Sequence, residues 1–180
     1  MVKIILHAIV FLFLVCGSVF AQSSRQRILE TADYRIAFPG QYVKSVDTLP
    51  SALGQLLLKG STFVPDSIMG DKNFVYMLME TTYPDSTVHS DRKEIIDEFF
   101  TGSIQGAVSN VNGKLIKEIR GTTGNYPNRT IEIEIQNGLA IIKMTMILRK
   151  NKMILIETIT SANSYPNAAE ADFMKSFVLK

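Results

Sequence analysis

Five methionines are the residues of this 180-residue chain whose type and placement most suggest a binding chemistry. Met77, Met79, Met144, Met146 and Met153 all fall in segments with strand-like patterning. Thioether side chains make an adaptable apolar surface that accommodates varied ligands, but they also fill ordinary cores. Two outcomes follow. Either the methionine face is open and takes an apolar peptide, a lipid or a protein partner, or a helix covers it.

His89 is the second candidate. Asp91, Glu94, Asp97 and Glu98 follow it, and Glu94 and Glu98 would share one face of a helix. Zinc sites, however, draw on three or four ligands and usually on several His or Cys. Ile95, Ile96, Phe99 and Phe100 claim the buried side of the same helix, so the acids are expected to face solvent. No metal site is expected. Gly102-Ser103-Ile104-Gln105-Gly106 breaks the spacing of a serine nucleophile turn. It lies within a helical pattern, where its small residues are expected to permit close packing. The sequence has no Walker loop and no dinucleotide fingerprint. No catalytic residue and no cofactor is therefore expected, the alternative being a small exported enzyme with an unrecognised site. Asn128-Arg129-Thr130 matches a glycosylation sequon, which matters only in a eukaryotic secretory setting with the turn exposed.

Export is the strongest expectation. Lys3 is the only charge before Arg25, the stretch Ile4 to Val15 is apolar apart from His7, and Val19-Phe20-Ala21 precedes Gln22. A basic start, a short apolar run and small residues flanking a cut between Ala21 and Gln22 make a cleavable signal, residues 1–21, followed by one domain, residues 22–180. The run is too short for a membrane anchor. Cys16 is preceded by Phe13-Leu14-Val15 rather than by the small residues of a lipobox, so a periplasmic or extracellular protein without a lipid anchor is expected. Cleavage takes Lys3 and no acid, which lowers the formal net charge from +2 to +1. A nearly neutral domain has no electrostatic case for binding nucleic acid. Cys16 is the single cysteine and would leave with the signal, so no disulfide or thiolate chemistry remains.

The elements that would position these residues are legible from periodicity. Residues 22–31 are polar and are expected to form a loose arm or a short helix. Strands are expected at Tyr34 to Phe38, Tyr42 to Asp47, Gln55 to Lys59 and Phe74 to Thr82. Both alternating sets of the last are apolar, which predicts cover on both faces. Ile95, Ile96, Phe99, Phe100, Ile104 and Val108 give one stripe of a helix from Asp91 to Asn110, with Ser90 as its N-cap. Four strands follow, Lys114 to Gly121, Thr130 to Gln136, Leu139 to Arg149 and Lys152 to Ser161.

Asn137-Gly138 predicts a two-residue hairpin loop. The register there sets Ile135 opposite Ala140, Ile133 opposite Ile142, Ile131 opposite Met144 and Glu132 opposite Lys143. A turn at Lys150-Asn151 sets Leu148 opposite Met153 and Met146 opposite Leu155. A last helix starts near Asn167, with Glu170 completing a capping box and Ala169, Phe173, Phe177 and Val178 as its buried stripe. The expected class is α+β: a single antiparallel sheet of about seven strands with two main helices, either one on each face or both on one face with the other left open as an apolar groove.

This order resembles the PsbP-like superfamily, which includes small exported bacterial proteins. The residues that carry the resemblance are Phe38-Pro39-Gly40, Gly124-Asn125-Tyr126-Pro127-Asn128-Arg129 and Phe173-Met174-Lys175-Ser176-Phe177, and it spans most of residues 33–180. Relatives often carry Gly where Asn128 stands, and Asn also tolerates a left-handed turn. The resemblance implies an α/β/α sandwich and an accessory or binding role: stabilising a photosynthetic complex, binding a small GTPase in nuclear import, or shielding apolar helices of secreted effectors. Export argues against nuclear import, and nothing in the residues supplies a plastid context.

Overall fold

The computed structural model describes residues 26–66 and 70–180. The expected signal, with Cys16, Ala21 and Gln22, lies outside the described residues. In chain order the elements are β1 (Arg27–Glu30), β2 (Tyr34–Phe38), β3 (Val43–Ser51), β4 (Gly54–Phe63), β5 (Asn73–Thr82), α1 (Lys93–Asn110), β6 (Lys114–Thr123), β7 (Tyr126–Ile135), β8 (Ala140–Arg149), β9 (Lys152–Ser161), α2 (Ala168–Lys175) and β10 (Val178–Leu179). The main sheet has seven antiparallel strands in the order β3-β4-β5-β9-β8-β7-β6. The expectation of a single sheet is corrected by a second, three-stranded one, β1-β2-β10. Tyr34–Phe38 is expected as a strand, but its partners β1 and β10, of four and two residues, are too short to signal themselves. Arg27–Glu30, expected as a loose arm or helix, is a strand because Ile28 and Leu29 pair with Ala37 and Ile36.

The central hairpins follow from alternation, because a one-residue slip would exchange the two faces of each strand. Ile135 pairs with Ala140, Ile133 with Ile142, Ile131 with Met144 and Glu132 with Lys143. The connection itself is longer than two residues. Gln136, Asn137 and Gly138 all take positive φ, and Leu139 completes a four-residue loop. Leu148 pairs with Met153 and Met146 with Leu155 across the tight Lys150-Asn151 turn.

The two faces of β8 and β9 are buried by different cover. Phe100 and Ile104 of α1 pack on Ile131, Ile133, Ile142, Met144, Met146 and Met153. On the reverse, Phe173 of α2 and Leu29, Ile36 and Phe38 of the small sheet pack on Tyr76, Leu78, Ile147, Ile154 and Ile156. Aromatic rings knit that second layer, with Phe173 against Tyr76 and against Phe38, both at 5.2 Å between ring centres.

Several local expectations are corrected. Helix α1 begins at Lys93 with no side-chain cap. Ser90 instead bonds to the β8–β9 turn, its Oγ accepting from the Lys150 amide at 3.0 Å. Gly102 and Gly106 have open space where a Cβ would stand, so they serve no close packing. A bulge between Asn73 and Val75 takes Phe74 out of the alternation and leaves it 52% exposed. In α2 Ala169 is exposed and the buried residues are Phe173 and Glu170, and Val178, expected in the helical stripe, is an exposed residue of β10. The turn before β7 lies at Gly124, whose φ is +58°, and Asn128 is an ordinary strand residue.

Candidate functional site

Cover by α1 stops partway across the sheet. Met144, Met146 and Met153, on β8 and β9, are buried beneath the helix. The registers continue the same face onto β5, where Met77 lies beside Glu157 and Met79 beside Leu155. Met77, Met79 and Val75 are only half-buried, as are Leu56 and Leu58 on β4. On β3, Leu49 opposite Leu56 is 51% exposed and Val43 opposite Thr62 is 64% exposed. The β5–β9 register brings Met77 and Met79 to the face of the other three methionines, but the five divide by cover. Three are core under α1, and two belong to an apolar strip that runs beside the helix across β5, β4 and β3.

Glu157 stands on the border between the two halves. Its row runs Met77–Glu157–Met144–Ile131 across four strands. Neighbouring strands lie about 5 Å apart, so the carboxylate is framed by two thioethers. The residue is 7% exposed. Among the described residues it makes no hydrogen bond and no ion pair. Burial alone pushes its pKa from 4.5 to about 7. Buried carboxylates are ordinarily paired, because a desolvated charge is costly. Nothing in the sequence singled out Glu157. The local signal was an acid breaking an otherwise apolar set, Met153, Leu155 and Ile159.

The remaining candidates lie elsewhere. His89 accepts a hydrogen bond from the Asp91 amide at 3.2 Å and sits 3.5 Å from its carboxylate. Among the described residues, no three His, Cys, Asp or Glu side chains are grouped to hold a metal. Asp91, Glu94, Asp97 and Glu98 are exposed. Asp97 nevertheless has a structural partner: it is ion-paired with Arg129, the buried middle residue of the sequon triplet, whose guanidinium lies 4.8 Å from the Phe100 ring centre. Glu118 approaches the same guanidinium at 3.4 Å. This group fastens α1 to β7. Ser103 donates to the Phe99 carbonyl, as helical serines do. Asn128 donates to the Thr123 hydroxyl at 2.7 Å. A concavity of about 370 Å³ at the start of α2, lined by Asp71, Lys72 and Asn167 among others, contains no histidine.

A second buried ionic group lies under α2. Glu170 is fully buried, with Oε1 accepting from Lys143 Nζ at 2.7 Å and Oε2 unpartnered. The ammonium of Lys143 is 6.0 Å from the centre of the Tyr165 ring. Burial, then the hydrogen bond to Glu132, raises the Tyr165 phenol well above its ordinary range. Of the expected capping box only the Asn167 half forms, since the Glu170 carboxylate is engaged by Lys143. Asn167 Oδ1 accepts from the Glu170 amide at 2.9 Å, and its Nδ2 donates to buried Asn73 at 3.0 Å. Replacing Asn167 with alanine removes the cap and one partner of Asn73. It is expected to lower stability by about 1–2 kcal/mol, read by urea denaturation. A loss below about 0.3 kcal/mol would mean that the cap is not structurally important.

Comparison with known proteins agrees with this architecture. No family model and no curated protein matches the sequence. The solution structure of cyanobacterial PsbP (CyanoP) from Synechocystis sp. PCC 6803 aligns over 92% of this chain and 98% of its own, with a TM-score of 0.56 at 12% identity. The fold is PsbP-like. A protein of unknown function from Pseudomonas aeruginosa aligns over 78% of this chain and 86% of its own, at 11% identity and a TM-score of 0.37, too low to equate the two folds. No helix among the described residues is long and apolar enough to cross a membrane.

Proposed function

We propose that this chain is an exported, non-catalytic binding or accessory protein whose ligand surface is the uncovered half of the α1-side sheet face. The observation that carries it is the unequal cover. The face is mainly apolar from β7 to β5 and carries Leu56, Leu58, Val43 and Leu49 among polar residues on β4 and β3, yet α1 buries only its β7–β8–β9 side. Contiguous exposed apolar surface on a folded domain marks an interaction site more often than not. Val43 and Leu49 are exposed there, and half-buried Leu58, Met77 and Met79 complete the surface. Its flexible thioethers suit a ligand whose shape varies.

The test is binding of an environment-sensitive apolar dye to the native protein. Met77→Asp together with Met79→Asp is expected to weaken dye binding by at least roughly tenfold, since two buried contacts of this size contribute more than 1.4 kcal/mol. Unchanged dye binding in a folded double variant would overturn the assignment. Export is tested on the secreted protein directly. N-terminal sequencing is expected to begin at Gln22, whereas an acylated Cys16 at the mature N-terminus would replace secretion with a lipid anchor.

A further inference from the structure

We propose that the apolar strip beside α1 seats a helical peptide segment carrying a single lysine or arginine, whose cationic head pairs with Glu157. This rests on the binding surface proposed above and specifies its occupant. Three observations on the face lead to it.

The first is Glu157 itself. A carboxylate more than nine-tenths buried, without a hydrogen-bond or ion-pair partner, borders the strip between Met77 and Met144. It has already been desolvated by folding. A cation arriving from the strip therefore gains the attraction without imposing the acid's share of the dehydration, which is the usual offset against a buried ion pair. The position of the acid selects charge sign as well. An anionic ligand would meet a like charge in a poorly screened setting.

The second is the surroundings of the acid. On the strip side its neighbours along the row are Met77 and then Thr62, and the flanking positions on its own strand are Leu155 and Ile159. Among the described residues, the one charged group further along its row is Glu118, an acid beyond Ile131 on β6, and the other charged groups on this face lie in other rows. Arg129 stands in the row of Leu155 and Met146, engaged by Asp97 and Glu118. Asp47 is opposite Leu58, at the far strand. Among the described residues no cation pairs with Glu157, so the carboxylate is available to a cation on a ligand.

The third is shape. The same face already seats one helix, α1, across β7 and β8. A helix is about 10 Å across, or two strand spacings, and β5, β4 and β3 continue the sheet by three strands. A second helix can lie beside the first with its apolar stripe on Met77, Met79 and Leu58. A basic residue at its centre would then reach over the border to Glu157.

The experiment uses a labelled Leu/Ala-rich helical peptide with one central lysine, and two companions carrying norleucine or glutamate in its place. Fluorescence anisotropy is read with the purified protein at about pH 8, where the carboxylate is ionised. The lysine peptide is expected to bind roughly tenfold tighter than the norleucine peptide, and the glutamate peptide weakest, the scale of one charge-assisted contact. Glu157→Gln is expected to erase the lysine preference while leaving the norleucine peptide within about twofold. Its own denaturation curve reports whether the variant is folded.

Equal binding of the lysine and norleucine peptides, or a preference that persists in Glu157→Gln, would sink the inference and leave the binding surface standing. Failure of every peptide to bind would sink both. Glu157-dependent binding of dodecylamine without binding of the lysine peptide would assign the site to an amphiphilic amine instead. A protein that is dimeric in solution, and monomeric as Met77→Asp, would place a second copy on the strip. Either result overturns the peptide assignment.

Discussion

Replacing Lys143 with methionine is expected to destabilise the protein by about 3 kcal/mol. The substitution keeps most of the side-chain stem, so little packing is lost. What it removes is the ammonium that donates to Glu170 Oε1 at 2.7 Å. Glu170 is fully buried and its other oxygen is already without a partner. Removing one member of a buried pair strands the other, at a typical cost of about 3–5 kcal/mol. Lys143 is itself a quarter exposed, and water drawn to the site screens part of the charge, which places the expectation at the lower end. The companion measurement is Lys143→Met with Glu170→Met. With both charges gone, most of the loss is expected to return, because an apolar replacement of an ion pair is often neutral. Urea denaturation at neutral pH reads both, and the midpoint is expected to move with an unchanged slope. A single-variant loss below about 1 kcal/mol would show that the pair is not holding α2 on the sheet.

The Glu157→Gln substitution is expected to have the opposite sign, and its effect to depend on pH. Unfolded, Glu157 ionises near 4.5, and folded near 7, because burial disfavours the charged form. Between those values the folded protein retains a proton that the unfolded chain has released. The group's contribution to stability is complete below 4.5 and is lost as pH rises through 7. At about 1.4 kcal/mol per unit, the full span is about 3 kcal/mol. The difference in stability between the variant and the wild type is therefore expected to shift by about that amount in the variant's favour between roughly pH 4 and pH 8. Comparing the two proteins at each pH isolates Glu157 from other titrating groups, such as Asp33, whose carboxyl is held below its ordinary range by hydrogen bonds from Lys152 and Arg149. Parallel curves would mean that the carboxylate is solvated or paired in the native protein. A helical peptide bearing a cation would pull the same pKa down, so the measurement also gives the baseline for the binding experiment.

These two effects come from residues that local sequence could not distinguish from surface acids. Glu170 was expected at its position because Asn167 needs a partner three residues on, and Asn167 does cap the helix. Its burial follows from where α2 lands, beside Lys143 on a strand 27 residues away in sequence. Glu157 lies in a strand whose apolar alternation was plain, and as a single interruption it could have faced either a gap in the cover or a partner. The hairpin register from Ile131 to Met144 was legible because alternation, turn chemistry and the Glu132–Lys143 pairing all demand one solution. The three-stranded sheet was not. Arg27–Glu30 and Val178–Leu179 are too short to signal strands, and each is ordered by pairing with β2.

By itself the sequence determined the β7–β8 and β8–β9 hairpins, the two helices and the placing of Met144, Met146 and Met153 on one face. These follow from period, turn residues and spacing, which act within neighbouring segments. Only the tertiary structure decided that α1 covers those three methionines and leaves Met77 and Met79 in an open strip. It also decided that Glu157, without a partner among the described residues, stands where the cover ends. Cover is set by where a helix lands across strands that are distant in the chain. The exposure of a residue depends on that landing, and no local pattern encodes it.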